Sequence, residues 1–224
     1  MKNKKKKANS YFSFSYLFYD FTKIITALPG WIWLRPKFRY VSDEAKKKIR
    51  GGAIVISNHN SFFDPVYLQF AVWYRRHRFV CLQKFFDGPL SWLFKGFLCI
   101  PVDKDNVSLS AIREITDSLQ RGKLVTLFPE GKVDLTGGKI SSFQSGVVIM
   151  AINGKAPIIP VYIKKKKHFY NRVVAVFGEA IDIQSAFPDE PAFTRMDKIA
   201  KMLEEKELEL KKYEEDYKNE KHVK

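Results

Sequence analysis

The sequence predicts an α/β fold: a mixed, mostly parallel sheet flanked by helices, with an N-terminal helical segment that associates with a membrane. From Ala53 onward, short and continuously apolar runs alternate with stretches of helical character. Strands that are apolar at every position are buried on both faces, as in a parallel sheet covered by helices. Ahead of them, "MKNKKKK" leads into an aromatic and aliphatic stretch that ends in "WIWL". The expected organisation is a membrane-associating segment over residues 1–40, an α/β domain over 41–192, and a charged helix and tail over 193–224. A chain of 224 residues, 46% hydrophobic, holds one substantial core, and a second full domain is not expected.

Within the first segment, Asp20 and Lys23 sit near the middle of the apolar run, where each costs roughly 2.5 to 3.5 kcal/mol at a bilayer centre. No small-residue cleavage site follows, which argues against a signal peptide. Ser13, Tyr16, Asp20, Lys23 and Thr26 recur at spacings of three or four, so the polar groups form one narrow helical stripe. Such a helix lies in an interface rather than spanning it. The alternative is a first helix packed on the protein's own core. Pro29 and Gly30 are expected to break the helix, and Trp31 and Trp33 to settle at headgroup level.

Strands are expected at "AIVIS", "RFVCLQ", "LCIPV", "LVTLFP", "APIIPVYI" and "RVVAVFG", with helices near residues 65–74, 88–96, 107–121 and 143–153. The last helix, about 193–218, is dense in charge and poor in apolar positions, which predicts a solvated face that frays into a tail. No internal repeat occurs. "GGK" at Gly137 to Lys139 is no phosphate-binding loop, because Ile140 stands where a Ser or Thr must hold magnesium.

The net charge of +15 and pI near 9.7 call for a partner that accepts positive charge: nucleic acid, an anionic membrane face or an acidic protein. The lysines cluster in "MKNKKKK", "EAKKKIR", "IKKKKH" and the tail instead of interleaving with aromatic residues, so nucleic acid is not the expected partner. Cys81 and Cys99 are the two cysteines and have no C-x-x-C spacing. Neither zinc nor a disulfide framework is expected, and a reducing, cytoplasmic setting is. A mean hydropathy of -0.25 argues against a polytopic membrane protein.

The stretch most charged with chemistry is "SNHNSFFDP", Ser57 to Pro65. Residues five apart point about 140° apart on a helix and to opposite faces of a strand. A strand ending near Ser57, a loop, and a helix starting at Asp64-Pro65 would bring His59 and Asp64 together. Asp is a favoured N-cap and Pro a favoured first helical residue. On the plainer reading Asp64 is only a cap and His59 a loop histidine. On the functional reading Asp64 fixes the tautomer of His59, which takes a proton from an attacking hydroxyl. Ser61 has no G-x-S-x-G elbow around it, so direct attack on an activated acyl group is favoured over an acyl-enzyme.

"NHNSFFD" resembles the N-H-x4-D block of the glycerolipid acyltransferases, typified by 1-acyl-glycerol-3-phosphate acyltransferase. "CIPVDK" (99–104), "LFPEGK" (127–132) and "APIIPVYI" (156–163) follow in that family's order, and the resemblance covers roughly residues 50–178. It implies acyl transfer from an acyl thioester, of acyl-carrier protein or coenzyme A, or from an acyl phosphate, to the free hydroxyl of a lysophospholipid. 1-Acyl-glycerol-3-phosphate is the implied acceptor and phosphatidic acid the product. His59 and Asp64 would be catalytic. Asn58, Lys104, Phe128, Pro129, Glu130, Gly131, Lys132 and Pro160 would bind substrate, with no metal or cofactor. Attachment to the cytoplasmic face of a cell membrane, peripheral or monotopic, is implied as well.

Two positions depart from the family pattern. Lys104 replaces the usual arginine, a point charge for a bidentate fork, and Lys132-Val133 replaces Thr-Arg. Plainer roles exist too. "FPEG" is also a strand-ending turn, Pro157 and Pro160 fit either a wall of the site or a sheet edge, and "FFDGPLSWLFKGFL" fits an acyl-chain groove or, more commonly, core. The alternatives for function are the same chemistry on another lysolipid or glycolipid, and a non-catalytic basic module that binds anionic lipid or nucleic acid.

Overall fold

The computed structural model describes residues 14–103, 108–129, 145–164 and 171–222. The mixed, mostly parallel sheet is as expected, with seven strands: β1 (Lys37–Tyr40), β2 (Ala53–Ser57), β3 (His77–Leu82), β4 (Ile100–Val102), β5 (Leu124–Leu127), β6 (Ile158–Ile163) and β7 (Val174–Phe177). Their order is β1-β7-β6-β2-β5-β3-β4, and only β6 and β7 run antiparallel. β2 lies at the centre, and all five of its residues are buried. β6 is therefore interior, so Pro160 stands opposite Ile56 inside the sheet and marks no edge. Its carbonyl accepts the Gly178 N–H at 2.9 Å.

Helices cover both faces. On one side α4 (Leu109–Gln120), α5 (Ser145–Gly154) and α6 (Ala192–His222) bury Ile115, Leu119, Val148, Ala151, Ile199 and Leu203 against Ile54, Ile56, Val125 and Ile158. On the other, α1 (Phe14–Leu34) and α2 (Asp64–Ala71) set Leu34, Tyr67, Leu68 and Phe70 against Ala53, Val55, Leu124 and Val161. Gly52 shows how tightly α4 is seated, since a Cβ there would stand 2.0 Å from the Leu119 carbonyl oxygen.

Three sequence expectations change. β1 falls within the segment assigned to the membrane-associating helix, because "KFRY" lacks a continuous apolar run. The last helix is no solvated tail: Ile199, Leu203, Glu207, Leu210 and Glu214 are buried along one face. Glu214 accepts ion pairs from Arg39 on β1 and from Lys164 at 2.7 Å, which fastens the helix across the antiparallel edge of the sheet. The third change is at Pro29, where α1 continues to Leu34 without breaking. Gly30 offers no Cβ to the Phe70 ring, which would lie 2.7 Å from one, and Trp31 packs edge-on against Phe70. Packing of the last turn outweighs the local cost of proline. The α3 segment (Ser91–Gly96), which the sequence leaves as acyl-chain groove or core, has no buried residue and packs on α1 through Phe18 and Trp92.

The middle of the polar stripe of α1 turns inward, while Thr26 stays exposed and donates to the Thr22 carbonyl of its own helix. Asp20 pairs with the Arg76 guanidinium at 2.5 Å, Tyr19 bonds Gln69 and accepts the His77 N–H at 3.0 Å, and Lys23 donates to the Trp73 carbonyl at 3.3 Å. The opposite face is left in solvent, with Ile24 67% and Leu28 70% exposed. No helix among the described residues is long and apolar enough to cross a membrane.

Beside α1, His77 is fully buried at the start of β3, with Nδ1 2.7 Å from Thr126 Oγ1. Burial, with the charges of Arg75 and Lys23 adding to it, pushes its pKa down to about 3.

Two stability predictions follow from this packing. Leu203→Ala should cost about 2 to 5 kcal/mol, the range for a fully buried leucine, read as a lower urea midpoint; an unchanged midpoint would make α6 the solvated tail of the sequence expectation. For His77, the unfolded chain takes up a proton below pH 6.5 that the folded chain refuses until about pH 3. Its contribution to stability is constant above pH 6.5 and is lost progressively as pH falls towards 3. Between pH 7 and pH 5 this amounts to about 2 kcal/mol, and His77→Gln should flatten that part of the slope in urea titrations.

Candidate active site

The C-terminal ends of β2, β5 and β6 lie side by side, because these three strands are parallel. Crevices at the carboxyl ends of parallel strands are where open α/β sheets bind ligands. There β2 runs straight into Asn58 and His59, and the chain turns through residues 60–63 into α2.

One carboxylate oxygen closes that turn. Asp64 Oδ2 accepts from the Asn60 N–H and the Ser61 N–H, both at 2.7 Å, and lies 3.0 Å from His59 Nδ1. The expected N-cap is thereby corrected: Phe63 is the cap residue, no side chain caps the helix, and Asp64 is already helical. Its side chain points back to the loop rather than to the amides of α2. Asp64 is 1% exposed against 18% for His59, and its second oxygen is buried without a hydrogen-bond partner among the described residues. A desolvated carboxylate held this way keeps the Nδ1–H tautomer in place and stabilises a positive charge on the ring. Nε2 is then left as the acceptor for an incoming proton.

The imidazole is fixed from its flat side by Phe128, whose ring stacks on it with centroids 4.1 Å apart and planes at 19°. Phe128 and the buried Pro129 follow directly on β5. Behind the histidine, Asn58 is buried. Its amide donates to the Ile163 carbonyl at 2.9 Å and accepts the Ile163 N–H at 2.7 Å. Asn60 Nδ2 donates to the same carbonyl at 2.6 Å. Both polar atoms of Asn58 are engaged by the end of β6, so this residue positions the loop. Pro160 is buried within the sheet, paired with Ile56 on β2.

Ser61 Oγ accepts the Phe63 N–H at 3.2 Å, a local turn bond. Tyr67 lies beneath the aspartate, and burial, with the charge of Asp64, pushes its pKa up to about 12. Lys104, Glu130, Gly131 and Lys132 lie outside the described residues. Asn60 and the backbone of Ile163 were missed in the sequence. The signal was the bracketing of His59 by two asparagines, a residue type that bonds readily to nearby backbone. No group of three or more metal-ligating side chains occurs among the described residues.

Comparison with known proteins bears on the family and the fold. The sequence matches the profile of the family described as Acyltransferase over residues 37–164. It is 24% identical to 1-acyl-sn-glycerol-3-phosphate acyltransferase of Bacillus subtilis over 84% of this chain and 94% of that one. It is 26% identical to the enzyme of that name from Streptococcus pneumoniae, over 58% of this chain and 50% of the other. Human 1-acyl-sn-glycerol-3-phosphate acyltransferase beta is 23% identical over 63% and 54%, so the chain spans about half the length of these last two relatives. The crystal structure of the 1-acyl-sn-glycerophosphate (LPA) acyltransferase PlsC from Thermotoga maritima shares the fold, with a TM-score of 0.57 at 21% identity over 85% of this chain and 79% of that one. The matched segment runs from β1 to the end of β6, takes in the histidine, the aspartate and the stacking phenylalanine, and makes up more than half of the sequence: the chain belongs to the Acyltransferase family.

Proposed function

We propose that the protein transfers a fatty acyl group from a thioester to the free hydroxyl of a lysophospholipid, with 1-acyl-glycerol-3-phosphate as acceptor and phosphatidic acid as product. The observation that carries the reading is the 3.0 Å contact between His59 Nδ1 and Asp64 Oδ2, which orients the ring and leaves Nε2 available as a base. Nε2 takes the proton of the acceptor hydroxyl as its oxygen attacks the thioester carbonyl. The tetrahedral intermediate collapses with cleavage of the C–S bond, and the imidazolium returns the proton to the departing thiolate. Asp64 stabilises the imidazolium between the two transfers. The cycle uses no cofactor beyond the donor, a thioester of acyl-carrier protein or coenzyme A. The names of the relatives support the acceptor.

Lys104 and Lys132 are the proposed ligands of the acceptor phosphate. Lys132 stands four residues beyond Phe128 in the chain, and Glu130 and Gly131 would shape the intervening loop. The outward apolar face of α1 is the proposed attachment to the cytoplasmic face of a membrane, where the lysophospholipid acceptor resides. Burial of that face in the interface needs no span.

In mixed micelles, His59→Ala should lower turnover by roughly 10² to 10⁴, the range for a lost general base. Asp64→Asn should be comparably severe because it removes the charge that holds the tautomer. Ser61→Ala should change turnover little, and a serine variant as inactive as His59→Ala would require an acyl-enzyme. Lys104→Met and Lys132→Met should raise KM for 1-acyl-glycerol-3-phosphate far more than for a phosphate-free monoacylglycerol. Equal effects on both acceptors would remove the lysines from the phosphate site, and preference for a glycolipid acceptor would replace the lysophospholipid.

A further inference from the structure

A second cavity system lies along α1. A cavity of about 700 Å³ opens between the first half of α1, the connection from α2 to β3, and the end of α4. Its cations are Lys23, Arg75, Arg76, Arg78, Arg121 and Lys123, and its one lining carboxylate is Asp20. Asp20 is held by Arg76, while Arg78 and Arg121 face Glu114 at 2.6 Å and Asp117 at 3.7 Å. Six cations against three carboxylates leave three in excess. The excess falls on Arg75, which among the described residues donates to the Ile49 and Gly122 carbonyls, on Lys123 over the Tyr16 ring at 5.5 Å, and on Lys23, which lies over the Trp73 ring at 4.9 Å and shares with Arg76 the one carboxylate of Asp20, 3.8 Å away. Burial lowers the Lys23 ammonium from its ordinary value, so an anion beside it restores lost stabilisation.

Trp73 belongs to both this cavity and a second one of about 320 Å³, lined by Ala27, Leu28, Trp31, Phe70 and Trp73. The cationic half therefore passes into an apolar half across one indole, and the apolar half opens beside the exposed side of α1. A free phosphate has no use for such a groove, and neither has a nucleic acid. An amphiphile with an anionic head and a hydrocarbon tail fits both halves.

We propose that this composite pocket binds an anionic membrane phospholipid, phosphate in the cationic half and acyl chain against Leu28, Trp31 and Trp73, at a site separate from His59. The separation follows from the sheet: Arg75, Arg76 and Lys123 precede β3 and β5, at the end opposite to where β2 delivers His59. Along α1, Lys23 and Trp33 are ten residues apart, about 15 Å, and Trp33 stacks edge-on against Phe63 in the histidine loop. The bound lipid is not a reactant. It fixes how the domain sits on the bilayer. The inference rests on the proposed attachment through α1.

Flotation of the full chain with phosphatidylcholine vesicles, with and without phosphatidylglycerol, separates the two ideas. The wild-type protein should bind neutral vesicles and bind phosphatidylglycerol vesicles more tightly. Lys23→Gln/Lys123→Gln should retain neutral binding and lose the phosphatidylglycerol increment by about fivefold per lysine. Lys201→Gln/Lys212→Gln removes the same charge from α6 on the other face of the sheet and should leave the increment intact. Lys123→Glu alone changes a side chain that meets α1 through the Tyr16 ring and takes no part in the Asp20–Arg76 ion pair. It should abolish the increment and leave that ion pair of α1 in place. Inorganic phosphate should compete no better than chloride at equal ionic strength. Pocket variants that behave like the α6 pair overturn the pocket, as does displacement by inorganic phosphate. Absence of binding to either vesicle overturns the α1 attachment and the pocket with it.

Discussion

The site depends on one buried oxygen. Asp64 Oδ2 gathers two backbone N–H groups and the imidazole Nδ1, so the carboxylate that orients the histidine also holds the loop that carries it. Such a group resists half-measures. Losing the charge weakens three hydrogen bonds at once, and each bond to a charged acceptor contributes more than a neutral one. The rest of the neighbourhood serves the same end by other means. Asn58 and Asn60 tie the loop to the backbone of Ile163, and Phe128 closes the flat side of the ring. The imidazole is thus fixed by three adjacent parallel strands rather than by its own loop.

Much of this was legible in the sequence because it is local. A strand of four apolar residues and a serine, then Asn-His, with Asp-Pro five positions after the histidine, admits few geometries that join the two side chains. What was not legible is where the aspartate would aim. A good N-cap type placed before proline invites the capping reading, yet the backbone amides of the loop lay closer than those of the helix. Stacking by Phe128 depends on β5 lying next to β2, a long-range pairing that no local pattern encodes.

The fold shows the same division. Buried central strands announce themselves by composition, whereas β1 and α6 do not. β1 is a short edge strand with Lys and Arg in it, and α6 is rich in charge. Each looks solvent-facing until paired with the other, through Arg39 and Glu214. Buried ion pairs of this sort are invisible to apolar periodicity, since the residues that mark the inward face are the ones normally placed outside. At Pro29 the local rule lost to tertiary contacts with Phe70, a contact that also could not be seen before α2 was in place.

The first helix reverses the usual arrangement of an amphipathic helix on a soluble domain. Its polar residues face the protein, where Asp20, Tyr19 and Lys23 engage Arg76, His77 and Trp73, and its aliphatic and aromatic residues face out. A detachable anchor would need no such inward bonds. Leu34 and Tyr19 are buried in the domain, so the helix is part of the fold it would attach. On the proposed reading, this rigidity has a catalytic consequence. The hydroxyl of a lysophospholipid sits at headgroup depth, and a base must be held at that depth to reach it. Trp33 at the end of α1 touches Phe63 beside the histidine loop, and Phe62 next to it is 72% exposed. The apolar face of the helix and the tip of the catalytic loop are thereby one continuous surface, and the height of His59 above the bilayer is set by how deeply that surface is buried.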